Sequence, residues 1–405
     1  MSSRVKYFVV STSTCLTLVL LIGLGLGRSA SVDDTYKHLG VFSDVVSRIK
    51  SEYVEEPDMK SVTLGALNGM LEAIDPFASY LNADQYKEYL KNKDLKKADL
   101  GLIISKKYGY LGEVGIVDAI PGSPAAKAGL TTGDMIETIG GIATRDMPLA
   151  FASMLLRGEA GTSVELTVIR TRHPEPAPLT LVRATLASPP VESRLLSGGI
   201  GYINVDALSP DAVKQVAAAA QQLQKNGAQK LMLDLRSCGV GSPDDGVALA
   251  NLFLNKGRIG YMVGQKVPRQ NFDADPAKEV STLPLAVLVN RGTAGGAEVA
   301  AAALQDNKRA QLVGERTYGD AALRKAISME DGGAIILSVA KYYSPDGSPI
   351  QDKQVQPANA VSDQDSQVEL DDNGEPLTDV PDKPQQKKVE DDAVVKKALE
   401  LLAKA

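Results

Sequence analysis

Three hydrophobic patterns follow one another along the chain. From Val32 to about Asn92 apolar residues recur at three- and four-residue spacing, as in TYKHLGVFSDVVSRIKSEYV and VTLGALNGMLEAI. That period predicts a helical region, broken at Asp75-Pro76. From about residue 98 to 187 the runs LGLIIS, EVGIVDAI and VELTVIRT predict strands separated by turns. Ser123-Pro124 opens a short helix there, Pro148 to Leu156 forms a second, and His173 falls in a solvated loop, HPEPAP. From residue 188 to 361 apolar strands alternate with amphipathic helices. GGIGYINVDAL precedes DAVKQVAAAAQQLQKN, and AQKLMLDLR precedes SPDDGVALANLFL, whose cap signal is Ser242. Strand–helix alternation predicts a mostly parallel sheet covered by helices.

Beyond Val361 the residues turn Asp-, Gln-, Pro- and Lys-rich, so 362–388 reads as a disordered acidic linker. The closing VEDDAVVKKALELLAKA (389–405) reads as a helix, acidic at its start and basic at its end, with a Val/Leu stripe to bury. At the other end, Arg4 and Lys6 precede an uncharged run from Tyr7 to Gly27, long enough to cross a bilayer. Basic residues before such a span keep the N-terminus inside and send the rest across. Residues 1–30 are therefore a signal peptide or signal anchor. The anchor fits better, because Arg28 spoils a cleavage site after Ala30. The expected location is extracytoplasmic, in a bacterial periplasm or cell envelope.

Composition narrows the function. The net charge is −6 and there is no Trp, which argues against a nucleic-acid role. Two cysteines, Cys15 and Cys238, make no disulfide framework. The two histidines, His38 and His173, lie in different regions, which argues against a Ser-His-Asp site or a His-based metal site. No metal and no cofactor is expected. Chemistry, if present, points to Leu285–Lys325. There a buried strand (285–289) runs into the glycine-rich turn Gly292–Gly296, and a helix begins near Ala297. A strand delivering a tight turn to a helix N-terminus is a place for a nucleophile or an anion, because unpaired N–H groups and the helix dipole converge. The second turn, Arg316 to Asp320, follows a short strand.

Residues 98–187 resemble a circularly permuted bacterial PDZ domain. The resemblance is carried by Leu100-Gly101-Leu102-Ile103, Gly122-Ser123-Pro124-Ala125, Ala128-Gly129-Leu130 and Gly133-Asp134-Met135-Ile136. It implies that a peptide adds as a strand beside an exposed edge, its C-terminal carboxylate held by backbone N–H groups. Leu100, Gly101, Leu102 and Ile103 would form that loop and edge, with Leu149, Met154 and Leu155 on the helix lining the side-chain pocket. Each of these apolar residues singly also suits plain core packing.

Longer strings extend the resemblance to nearly the whole chain after its first segment: GALNGMLEAIDPFASYL, DLRSCGVG, LVNRGTAGGAEVAAAALQDNKRAQLVGERTYGD and AKYYSPDGSPIQ. Together they resemble the C-terminal processing peptidases, or tail-specific proteases, a family of serine peptidases. The implied fold is multi-domain α+β and α/β. It comprises a helical N-terminal region (31–97), a permuted PDZ domain (98–187), a mixed, mostly parallel protease-type core (188–361) and a C-terminal helix. In that family a serine is acylated with a lysine as general base, and a glutamine four residues later orients the lysine. Gly292-Thr293-Ala294, Glu298 and Gly314–Gly319 fix the register. The serine, lysine and glutamine positions are then Gly295, Asp320 and Arg324.

Those three cannot perform the family's reaction. Glycine has no nucleophile, Asp320 has no hydroxyl to deprotonate, and Arg324 holds its proton too tightly. The turn after DLR departs as well, reading Ser237-Cys238-Gly239-Val240-Gly241. A shift of chemistry to Thr293 would move a hydroxyl by roughly 6–7 Å, beyond hydrogen-bond reach of a base. Asp320 and Arg324, four apart, would pair if their turn were helical. The expectation is a pseudoprotease that binds C-terminal or unfolded peptides, as adaptor or regulatory partner of an active homologous protease. A homo-oligomer is implied by resemblance, and the membrane is a partner through residues 1–30. The rival expectation is an active serine-type endopeptidase that uses displaced residues.

Overall fold

The computed structural model describes residues 30–93, 98–106, 113–145, 147–170, 173–186, 188–362 and 389–404. The expected export segment, Ala30 excepted, and nearly all of the expected linker lie outside them. Among the described residues no helix is long and apolar enough to cross a membrane. The chain divides into two units at Gly65. The first holds helix α1 (Ala30–Glu52), which leaves Leu39, Phe42 and Val45 exposed, and the start of α2 (Met59–Glu72).

The second unit continues with β1 (Ser79–Leu81) and α3 (Ala83–Lys93). A six-stranded sheet follows: β2 (Leu102–Ser105), β3 (Val114–Ala119), β4 (Met135–Ile139), β5 (Ile142–Ala143), β6 (Ser163–Arg170) and β7 (His173–Val182). Its order is β2-β3-β4-β6-β7, with β5 paired to β4. Helix α4 (Pro124–Lys127) starts where Ser123 Oγ accepts from Ala126 N at 3.1 Å, and α5 is Leu149–Leu156. One expectation fails here. HPEPAP is not a loop but the start of β7, and an edge strand tolerates proline because its outward positions need no N–H.

The core contains β8 (Glu192–Leu196), β9 (Ile200–Asn204), α6 (Pro210–Lys225), β10 (Lys230–Asp234), α7 (Pro243–Asn251), β11 (Arg258–Val263) and β12 (Gln270–Asp273). It continues through β13 (Leu285–Val289), α8 (Gly296–Asp306), β14 (Ala310–Gly314), β15 (Ala322–Ser328), β16 (Ala334–Tyr343), α9 (Ile350–Lys353) and β17 (Asn359–Ala360). One sheet runs β17-β14-β13-β10-β9-β8 and is parallel except for the β8–β9 pair. Strand β13 and the middle of β10, residues 231–233, are continuously apolar because helices cover both faces. The second sheet, β1-β16-β11-β12 with β15 on β16, is antiparallel and borrows β1 from the N-terminal region.

Helix α8 is enclosed from Gly296 to Leu304. It meets α7 backbone to backbone: a Cβ on Gly246 would stand 1.9 Å from Gly296 O. The closing helix α10 (Ala393–Lys404) buries Val394, Val395, Ala398 and Leu402 on Met232, Ala286, Leu288 and Val313. Asp392 caps it, accepting from Val394 N at 2.8 Å and Val395 N at 3.0 Å, and pairs with Arg236 at 2.7 Å.

Candidate functional site

The turn after β13 is clamped to the turn after β10. Asn290 Oδ1 accepts from Ser237 N at 2.8 Å and from Gly292 N at 3.0 Å. Thr293, fully buried, donates its hydroxyl to Leu235 O at 2.8 Å and accepts from Asn290 N at 3.0 Å. Ala294 N donates to Cys238 O at 3.0 Å. Gly295 then takes φ 59°, ψ −118°, a conformation costly for any side-chain-bearing residue, and α8 begins at the next residue. A strand, a sharp strained turn and a helix form the geometry on which hydrolases mount a nucleophile. A side chain here would be tight but not blocked: a Cβ on Gly295 would lie 3.2 Å from Gly241 O, which must give by a few tenths of an ångström, and 3.5 Å from Asp320 O.

Glu298 joins this turn to the second one. Its carboxylate is fully enclosed and accepts four hydrogen bonds. They come from Thr317 Oγ1, from Gly319 N and Asp320 N, each at 2.7 Å, and from Gly295 N at 3.0 Å. Burial nevertheless pushes its pKa up to about 7.

Asp320 Oδ1 meets Arg324 Nη2 at 2.5 Å. The two pair without the turn being helical: Asp320 lies in a loop and Arg324 on β15. The guanidinium stacks over Phe77, 4.1 Å from the ring centroid, and its Nε is buried without a partner. Cys238 is fully buried, and that burial pushes its thiol pKa far up.

The strand-rich domain rests against these turns. Ile103 on β2 fills the space beside Gly239, where a Cβ would stand 2.1 Å from Ile103 Cδ1. Tyr318 lies in one apolar cluster with Phe77, Leu100, Ile104 and Leu149, and its hydroxyl reaches Ile104 O at 3.4 Å. Asp118 on β3 lies over the Gly292 turn, since a Cβ there would come within 3.1 Å of Asp118 Oδ2. Of the residues expected to bind peptide, Leu100 and Leu149 are core, while Leu102, Ile103 and Leu155 pack half-buried around them. Met154 is half-buried on α5, and Gly101 has φ 78°. Among the described residues the outer strands of this sheet are β2 and β7. Pro174, Pro176 and Pro178 withhold N–H donors from β7, which leaves β2 as the edge able to accept a strand.

Residues 199–361 match Peptidase family S41, and residues 115–170 match the PDZ domain. A carboxy-terminal-processing protease of Bartonella bacilliformis is 32% identical over 362 residues, 87% of this chain and 81% of that protein. This chain belongs to peptidase family S41. It is also similar to the carboxy-terminal processing protease CtpA of Bacillus subtilis, 32% identical over 82% of this chain and 70% of that one. Among solved structures it resembles a photosystem II D1 C-terminal processing protease. The TM-score is 0.64 at 28% identity, covering 79% of this chain and 92% of that one.

Gly295 lies beside Asp320, whose carbonyl would stand 3.5 Å from a Cβ on the glycine, and Asp320 in turn pairs with Arg324. What they form is an ion pair beside a turn with no side chain. The sequence reading did not single out Phe77, Asp99, Asp118 or Gln351. Phe77 and Gln351 engage Arg324 from segments 247 and 27 residues away, so local pattern carries no signal for them. Asp99 could have been found, because an Asp two residues before a glycine in a loop commonly bonds that glycine's N–H.

Proposed function

We propose that this chain is an extracytoplasmic S41 homologue without peptidase activity. It binds C-terminal or unfolded peptide segments at its PDZ domain and serves an active relative as adaptor or regulatory subunit. The observation that carries this reading is the Asp320–Arg324 ion pair at the lysine and glutamine positions, beside Gly295 at the nucleophile position. Displaced chemistry finds little support. The Thr293 hydroxyl is committed to Leu235 O, and the Cys238 thiol is buried and far from its reactive ionised form.

The test incubates the full chain with a dye-labelled unfolded protein, beside the reversion Gly295→Ser, Asp320→Lys, Arg324→Gln. The unmodified chain is expected to release no fragments. Cleavage that survives Thr293→Ala and Cys238→Ala would instead favour a peptidase working with other residues, the reading suggested by the names of its relatives.

A further inference from the structure

The loop that would capture a peptide's terminal carboxylate is already filled from within the chain. Asp99 immediately precedes Leu100–Ile103, and its side chain is four-fifths buried. Its Oδ1 accepts from Gly101 N at 2.8 Å, and its Oδ2 accepts from Arg157 Nε at 2.9 Å. A backbone N–H and a guanidinium on the two oxygens of one carboxylate are the donors a peptide C-terminus would need. The loop's shape is fixed by its carbonyls: Leu100 O accepts from Ala125 N at 3.0 Å, and Gly101 O from Ile120 N at 2.8 Å.

The second arginine nearby cannot take over. Arg183 spends its donors on Leu155 O, Leu156 O, Ser163 O and Thr162 Oγ1, which ties the end of α5 to β6. A terminal carboxylate entering beside β2 would therefore meet a like charge, with Gly101 N and Arg157 Nε already engaged. An internal segment, or a peptide with a neutral end, needs neither donor and meets no such repulsion.

We infer that Asp99 is a specificity-determining residue that stands in for a ligand carboxylate, so that the PDZ edge selects unfolded or internal peptide segments over free C-termini. This rests on the reading that β2 receives a peptide, and it narrows the class of peptide.

The test uses the full chain and two matched pools of fluorescein-labelled decapeptides with a randomised hydrophobic last residue. One pool ends in the free acid and the other in the amide, and binding is read by fluorescence polarisation. The unmodified chain should bind the amide pool at least as tightly as the acid pool. Asp99→Ala should shift the ratio toward the acid by about ten- to a hundredfold, the worth of a charge-assisted hydrogen bond. Asp99→Asn keeps the oxygen that holds Gly101 N but loses the charge, so it should shift the ratio less, which guards against a collapsed loop in the alanine variant. A tenfold or greater preference of the unmodified chain for the acid pool would overturn the inference and leave peptide binding standing. Binding of neither pool would overturn both.

Discussion

Asp320 Oδ1 and Arg324 Nη2 lie 2.5 Å apart although neither residue is helical. A register shift between Leu323 and Arg324 on the β15–β16 ladder turns the arginine back toward the loop that carries Asp320. There it lies over Phe77, within 3.4 Å of Gln351 Oε1, and Gln351 Nε2 in turn donates to Asp75 Oδ1 at 3.1 Å. The pair thus ties the second turn to the segment that precedes β1.

Arg324→Ala should therefore cost more stability than Asp320→Ala. The aspartate mutation removes one partly exposed ion pair, about 0.5–1 kcal/mol. The arginine mutation removes the same pair together with packing over an aromatic ring, about 1–3 kcal/mol in all. Urea midpoints of the two variants decide the order, and equal losses would mean that the stacking contributes nothing.

Two glycines in neighbouring positions should respond differently to a side chain. Gly295→Ser must hold φ 59° and seat its Cβ 3.2 Å from Gly241 O, a contact that a small shift relieves, so a loss of about 1–3 kcal/mol is expected. Gly246→Ala drives a Cβ to 1.9 Å from Gly296 O, so α7 and α8 must separate, and a loss above about 3 kcal/mol is expected. Thermal unfolding of both variants gives the comparison. A mild Gly246→Ala would show that the two helices are not in backbone contact.

Glu298→Gln tests the joint between the two turns. Four donors converge on two carboxylate oxygens. The amide replaces one oxygen with a donor; turned toward Thr317, whose hydroxyl can accept, it still leaves the Gly319 N–H in a donor-to-donor contact inside the protein. The expected cost is about 2–4 kcal/mol. Amide hydrogen exchange should show faster exchange at Gly319 and Asp320, and unchanged rates there would refute the assignment.

How much of this was legible varies by element. The 3.6-residue period of α6, its Ser209-Pro210 start and the stop at Gly227 are local features, and so are the apolar runs of β10 and β13. The antiparallel sheet was not legible, because β1 pairs with β16 from more than 250 residues away and Ser79–Leu81 is too short to show alternation. Pro174, Pro176 and Pro178 read as a loop because a local rule cannot tell an edge strand from none. The triplet Gly295, Asp320 and Arg324 was placed by resemblance alone. Its ion pair, and the four donors that meet on Glu298, depend on contacts that no spacing encodes.

The contact of the PDZ domain with the core should depend on pH through Asp118. Its carboxyl is nine-tenths buried, its Oδ2 has no hydrogen-bond partner, and burial pushes its pKa up to about 7 from 3.8. The Ala119 amide and Ser237 oppose that shift, and Asp206 after β9 adds to it. A raised pKa means that the folded state holds a proton the unfolded chain has released. The stabilisation is complete below about pH 4 and is lost as pH rises to about 7, with no further change above. Glu298, also raised to about 7, acts in the same direction, so the wild-type midpoint in urea should fall between pH 5 and pH 8. Asp118→Asn removes one of the two contributions. It should be roughly 1–3 kcal/mol more stable than wild type at pH 8 and equal or less stable at pH 5. A variant whose stability difference from wild type is the same at both pH values would show that Asp118 does not carry a buried, unpaired charge in the folded protein.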